Sequence, residues 1–293
     1  MITRTEIHIT PAISHPIRLQ EYGVGIFNAI QTKSALKKVL KKQLITVNGF
    51  VATTATMIKG GEKIVLSTPE ALTKTKQLLY PLKVLFEDDY LAMIHKPAGI
   101  LVSGNSFKTI TNALEQNLKA SNCIDTTIPQ PIHRLDYATT GILLAGKTNS
   151  SIRALNKLFE NKAVKKTYYA ITIGNMNSQG TISTEIDGKK SESIFEVCES
   201  VKSERFGKLN LVKLEPKTGR RHQLRKHLSG IGNPILGDAT YGNKDLILKG
   251  KGMYLHAYSL EFLHPITKEK LGFTAEFPKK FENIFPSIDL SIQ

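Results

Sequence analysis

The chain has 293 residues, 41% of them hydrophobic, with 40 Lys and Arg against 25 Asp and Glu for a net charge of +15. That length accommodates about two domains with buried cores, and the basic surplus directs attention to polyanionic partners such as nucleic acid. Several classes are disfavoured. No apolar run approaches the ~18–20 residues of a spanning helix, and Met1–His8 lacks the apolar stretch of a secretory leader. Cys123 and Cys198 have neither the number for a disulfide framework nor metal-ligand spacing. A cytoplasmic, reduced protein is expected, with no membrane association and no metal.

A first, basic unit is expected over residues 13–69. In Lys33–Lys42, Leu36, Val39 and Leu40 recur at helical spacing and form a buried stripe. Lys37, Lys38, Lys41 and Lys42 share another face, which is either plain solvated surface or a contact for a polyanion. Ile45–Val51 contains Asn48-Gly49 between short apolar runs, a strong hairpin signal, and Glu62–Leu66 follows as a strand. The lysine-bearing helix, the Thr46-Val47-Asn48-Gly49 turn and the Lys59–Ile64 ending resemble the alpha-L RNA-binding module named after ribosomal small-subunit protein four. That resemblance implies that helix and hairpin grip structured RNA, although Tyr22–Ile30 departs from the module's usual charged entry helix.

Thr68–Leu82 reads as a linker, and a second unit is expected over residues 82–290. It opens with a hairpin, Val84–Ile94, turning at Asp88-Asp89. Strands are predicted at Gly141–Ala145, Tyr168–Ile173, Ile194–Val197, Leu209–Leu214, Met253–Phe262 and Leu271–Ala275. Helices are predicted at Ser106–Ala120, Ser150–Glu160 and Gln223–Ile231. Many strands and few helices imply an α+β fold with a mixed, mainly antiparallel sheet.

Gly141-Ile-Leu-Leu-Ala-Gly-Lys147-Thr148 matches the phosphate-loop pattern to the letter. That pattern requires a flexible loop between strand and helix, whereas Ile142–Ala145 reads as the strand itself. A nucleotide site is therefore not expected.

The chemistry is expected elsewhere. His133-Arg134-Leu135-Asp136 lies in a polar break between a loop containing Pro129 and Pro131 and the apolar run Ile142–Ala145. An arginine near such a carboxylate favours its charged form. A second basic block, Lys217–Leu228, supplies further cations. Five blocks, in this order, resemble the RluA-type pseudouridine synthases: Ile94–Val102, His133–Gly141, Lys165–Ala170, Leu214 through Gly242, and Leu255–Ala257.

The resemblance implies an isomerase that breaks the nitrogen–carbon glycosidic bond of uridine, turns the base and rejoins it through carbon, without a cofactor. It implies Asp136 as the catalytic carboxylate, Arg225 as its guanidinium partner and Tyr168, rather than the adjacent Tyr169, against the target base. Arg134 is implied to occupy the space left by the extruded base, since a stacked uridine hides the bond to be broken. Arg220, Arg221 and Lys226 are expected at phosphate or structural contacts, and His133 in a hydrogen bond within its own loop. His222 and His227 lie on different faces of a helix and form no metal site. Tyr137 and Arg221 depart from the commoner family residues, basic and small hydroxyl-bearing respectively, which bears on the choice of RNA. The expected partner is structured RNA, large-subunit ribosomal in preference to transfer RNA. The expected form is a monomer, and the rival reading is a non-catalytic RNA-binding assembly factor.

Overall fold

A computed structural model of the chain describes residues 3–27, 30, 32–69, 78–246, 248, 250 and 252–286. The chain divides into two compact units, Met1–Lys76 and Gln77–Gln293. Of the expected linker, residues 70–77 lie outside the described residues, as do 287–290 of the expected second domain.

In the first unit, β1 (Thr3–Ile9) and β2 (Ile17–Arg18) are followed by α1 (Leu19–Tyr22) and α2 (Lys33–Lys41). Four short strands complete it: β3 (Ile45–Val47), β4 (Phe50–Val51), β5 (Met57–Ile58) and β6 (Lys63–Pro69). A four-stranded sheet runs β1-β6-β3-β4, and β2 pairs with β5. The Thr32 hydroxyl accepts from Ala35 N at the start of α2, and Leu36 and Leu40 bury beside Ile45, Ile64 and Leu66. Asn48 (φ 49°) and Gly49 (φ 86°) are both left-handed, as the tight β3–β4 turn demands. Strand β1 was not expected, and the reason is visible. Its apolar Ile7 and Ile9 are 56% and 58% exposed while the His8 ring bonds the Tyr22 hydroxyl, so its apolar alternation points outward.

The second unit begins with β7 (Lys83–Glu87), β8 (Leu91–Lys96), α3 (Ile110–Asn117), β9 (Thr126–Pro131) and β10 (Thr140–Thr148). It continues with α4 (Asn149–Glu160), β11 (Lys165–Ile173), β12 (Gln179–Ile182), β13 (Ser193–Ser203), β14 (Gly207–Pro216) and α5 (Gln223–Gly230). Last come β15 (Leu255–Leu263), β16 (Lys270–Thr274) and α6 (Lys279–Glu282). One ten-stranded sheet runs β12-β13-β14-β11-β15-β10-β8-β7, with β16 added beside β15 and β9 beside β10. Among the described residues every pairing in it is antiparallel except β10 with β15. The architecture is α+β and mainly antiparallel, as the sequence implied.

The central strands bury both faces. Leu143 and Ala145 of β10 enter a cluster with Ile94, Leu114 and Leu135, whereas Ile142 and Leu144 enter one with Met93, Leu155 and Phe262. The phosphate-loop look-alike is therefore strand β10, and its Lys147 donates to the Glu87 carboxylate (2.7 Å) and the Asp88 carbonyl (2.5 Å). It has no phosphate cradle to offer.

Boundaries differ from expectation at several elements, and for some the physical reason is plain. Pro129 and Pro131 belong to β9 rather than to a loop; β9 pairs with β10 alone, and a strand with one partner tolerates residues lacking an N–H. Helix α3 is shorter than Ser106–Ala120, because Thr109 caps it and Leu118 is already extended. Leu78–Leu82 is not linker: Leu78 N donates to Asn112 O (3.0 Å) and Leu82 N to Asn117 Oδ1 (2.9 Å). Strand β12, which includes Gly180, carried too little pattern to be anticipated.

The parallel junction of β10 and β15, Thr140 opposite His256 and Gly141 opposite Ala257, depends on glycine. Gly141 has φ 118°, and a Cβ there would lie 2.1 Å from the Ala257 oxygen. Gly141→Ala is expected to destabilise the protein by more than about 1 kcal/mol in urea unfolding.

Candidate active site

The loop between β9 and β10 carries Asp136 and is fixed on either side of it. Leu135 is buried in the core, Ala138 packs against the neighbouring cluster, and Thr139 N closes a turn onto Asp136 O (3.1 Å). The carboxylate stays 26% exposed, open enough to meet a ligand. Beneath the loop, the wholly buried Lys96 at the end of β8 donates to the carbonyls of Pro97 (2.9 Å), Thr139 (2.9 Å) and Tyr137 (3.4 Å). Burial pushes its pKa down to about 8, against the pull of Asp136. Beside them the Thr140 hydroxyl bonds His256 Nδ1 (2.8 Å), across the parallel junction.

Arg225 reaches this loop from α5. The opposite face of that helix is anchored: Gln223 Nε2 donates to Glu192 O and Ser193 Oγ, and the His227 ring bonds Ser191 and Ser193. Arg225 thus points away from the anchor, with Nε and Nη2 on Asp238 (2.7 and 2.8 Å) and Nη1 on Asp136 Oδ2 (3.2 Å). Its pKa is raised, because the bonds to Asp238 and Asp136 outweigh the burial that acts against the charge. Asp238 is held below the ordinary carboxylate range; burial opposes this, but bonds from Arg225 and from the amides of Thr240 and Tyr241 prevail. The Tyr241 ring lies 4.9 Å from the guanidinium, and its hydroxyl bonds His222 Nδ1 (2.9 Å).

Tyr168 of β11 sits between the two core clusters, and burial followed by the charge of Asp136 pushes its phenol well above the ordinary range. Tyr169 takes the other face, packed edge-on against Tyr258 and Phe277. Asp136, Tyr168 and Arg225, distant in sequence, are therefore gathered at one place.

The remaining predicted residues are placed unevenly. Arg134 is exposed next to the site, and Arg220 and Arg221 are exposed before α5, with Arg220 Nε on the Lys190 carbonyl (3.0 Å). Lys226 pairs with Asp187 (2.9 Å). His133 bonds the Arg134 backbone within its own loop, as expected, and reaches β10 as well. Its Nε2 accepts from Leu144 N of β10 (3.1 Å), its ring stacks on Phe159, and burial pushes its pKa down to about 3. That ring is committed to the fold. Lys37, Lys38, Lys41 and Lys42 are exposed on α2 and its C-terminal cap in the first unit.

Sequence reasoning assigned no role to Lys96, Asp238 or Tyr241, and considered His222 only as a metal ligand. A signal did exist for Asp238, the acid nearest after Arg225 in the chain, since an arginine buried on a helix requires a counter-charge.

Comparison with known proteins agrees with this geometry. The family model for RNA pseudouridylate synthase matches residues 90–230. An uncharacterized RNA pseudouridine synthase of Aquifex aeolicus is 31% identical over 280 residues, 87% of this chain and 88% of that protein. The ribosomal large subunit pseudouridine synthase C of Rickettsia conorii is 32% identical, covering 90% of this chain and 95% of its own. Among solved structures, human RNA pseudouridylate synthase domain containing 4 superposes with a TM-score of 0.55 at 27% identity, over 68% of this chain and 90% of that one. The fold and site define an isomerase acting on RNA. The chain belongs to the RluA-type RNA pseudouridine synthases.

Asp238→Asn removes a buried counter-charge from Arg225 and is expected to cost about 3–5 kcal/mol in urea unfolding at neutral pH. Asp238 has its pKa lowered on folding, so its contribution is present above the ordinary value of 3.8 and fades as pH falls through the folded-state pKa below it. The gap between wild type and variant should therefore narrow in acid below that value.

Proposed function

We propose that this enzyme isomerises uridines of large-subunit ribosomal RNA, with Asp136 as nucleophile. The observation that carries the assignment is the buried relay Asp238–Arg225–Asp136, which ends in a part-exposed carboxylate oriented by a bond of 3.2 Å. In the reaction the bond between the ribose carbon and N1 of uracil breaks, and a bond from that carbon to C5 forms. C5 loses a proton and N1 gains one, so nothing is oxidised and no group leaves. A fixed carboxylate can hold the electron-poor ribose while the base turns. Tyr168 packs against the base, and Arg134 fills the space that the flipped nucleotide vacates. Of the two candidate RNAs, ribosomal RNA is favoured by relatives named ribosomal large subunit pseudouridine synthases C and D; transfer RNA is the second reading.

The first unit acts as an alpha-L module that grips structured RNA. Supporting this are the exposed Lys37, Lys38, Lys41 and Lys42 and the adjacent β3–β4 hairpin, whose Phe50 is 80% exposed as a surface for base stacking. The second unit forms the catalytic domain.

Asp136→Asn is expected to lower single-turnover pseudouridine formation by about 1,000-fold or more while leaving RNA affinity within twofold. Substantial product from that variant would refute the nucleophile. Affinity should also fall with salt by ~0.7–0.9 log units per log unit for each phosphate contact. A flat dependence would argue against RNA as the ligand.

A further inference from the structure

His222 has a backbone that its residue type does not explain. It precedes α5 with φ 55° and ψ 28°, in the left-handed region, where a side chain costs about 1–2 kcal/mol and glycine costs almost nothing. Such strain persists where the surroundings over-determine it and gathers at functional positions. Here the surroundings do so. The His222 carbonyl accepts Lys226 N in the first helical turn (2.9 Å), and Gln223 ties the preceding loop by accepting from Arg220 N (3.0 Å) and Thr218 Oγ1 (2.7 Å). The turn would form with glycine, so what this position gains from histidine is its ring.

That ring is aimed. Nδ1 bonds the Tyr241 hydroxyl at 2.9 Å, with the two rings edge to face, and Nε2 lies 3.7 Å from Asp136 Oδ1. Arg225 holds the other carboxylate oxygen, Oδ2. If Nδ1 donated to Tyr241, a lone pair on Nε2 would face a carboxylate; the favourable tautomer has the Tyr241 hydroxyl donating and Nε2 carrying the hydrogen. Burial lowers the ring's pKa against the pull of Asp136, which favours this neutral donor. At 3.7 Å the contact is longer than a hydrogen bond, and such contacts close when a bound substrate excludes water.

We infer that His222 is a positioning residue for Asp136. Its Nε2–H and the Arg225 guanidinium take one carboxylate oxygen each and fix the plane of the acid against the ribose. Tyr241 serves both partners, its hydroxyl orienting the histidine and its ring packing on the arginine. This inference rests on Asp136 being the nucleophile.

The left-handed backbone supplies a clean test, because His222→Gly removes the ring and suits the turn. Single-turnover rate, RNA affinity and melting temperature would be measured for the full chain, with and without added imidazole. We expect an unchanged or higher melting temperature, affinity within twofold, a rate about 10- to 100-fold lower, and partial restoration by imidazole. Tyr241→Phe keeps the ring over Arg225 and should slow wild type while adding nothing in the His222→Gly background. A His222→Gly rate within threefold of wild type overturns the inference. So does a loss that imidazole leaves untouched or that follows a fall in affinity or melting temperature. Asp136→Asn, measured alongside, separates the two readings: if it still isomerises uridine, the nucleophile assignment fails whatever His222→Gly does.

Discussion

A single guanidinium organises the candidate site of the second unit. Arg225 is buried, and a buried cation is tolerated only when its charge and its donors are matched. Asp238 supplies the match with two parallel bonds, and it is itself fixed by the amides of Thr240 and Tyr241. Because Asp238 takes Nε and Nη2, Nη1 remains for Asp136. The geometry of the planar fork thereby sets where the Asp136 carboxylate lies. A lysine, a point charge with no fork, could not divide itself between two acids in this way.

The other constraints on Asp136 come from below. Its loop leads into the parallel junction of the large sheet, where Gly141 lets β10 approach the Ala257 backbone. Lys96 gathers the Tyr137 and Thr139 carbonyls of that loop, with that of Pro97, around one ammonium, giving these backbone acceptors a donor. The acid is held through its side chain from α5, and the loop residues that follow it are held from the end of β8. Neither element adjoins it in sequence. Preorganisation of this kind lets a carboxylate act on a developing charge without first rearranging.

The first unit shows a different economy. Its core is small, centred on Leu19, Leu36, Ile45, Ile58 and Ile64, and Lys37, Lys38, Lys41 and Lys42 lie outside that core on one helix and its cap. Charge on such a helix costs the fold little and remains available to a polyanion. Within this unit the turn at Asn48-Gly49 needs left-handed backbone at both positions, which is why the hairpin could be recognised from two letters.

Local features were legible in the sequence because local physics determines them: the α2 stripe, the Asn48-Gly49 turn, the two-faced apolar run of β10 and the order of the family blocks. What failed was information carried by partners. Strand β1 turns its isoleucines outward, β9 places prolines where one neighbour pairs, and His133 takes a second bond from β10 beyond the one in its own loop. The pattern of strands and helices in the sequence implied the fold class, and the resemblance of its five blocks to a known family implied the chemistry and the triplet Asp136, Tyr168 and Arg225. Only the tertiary structure decided that Asp238 holds the arginine, that Lys96 holds the loop and that His222 faces the acid. Each of those is a pairing between groups on different elements, which spacing along the chain does not encode and packing of the interior fixes.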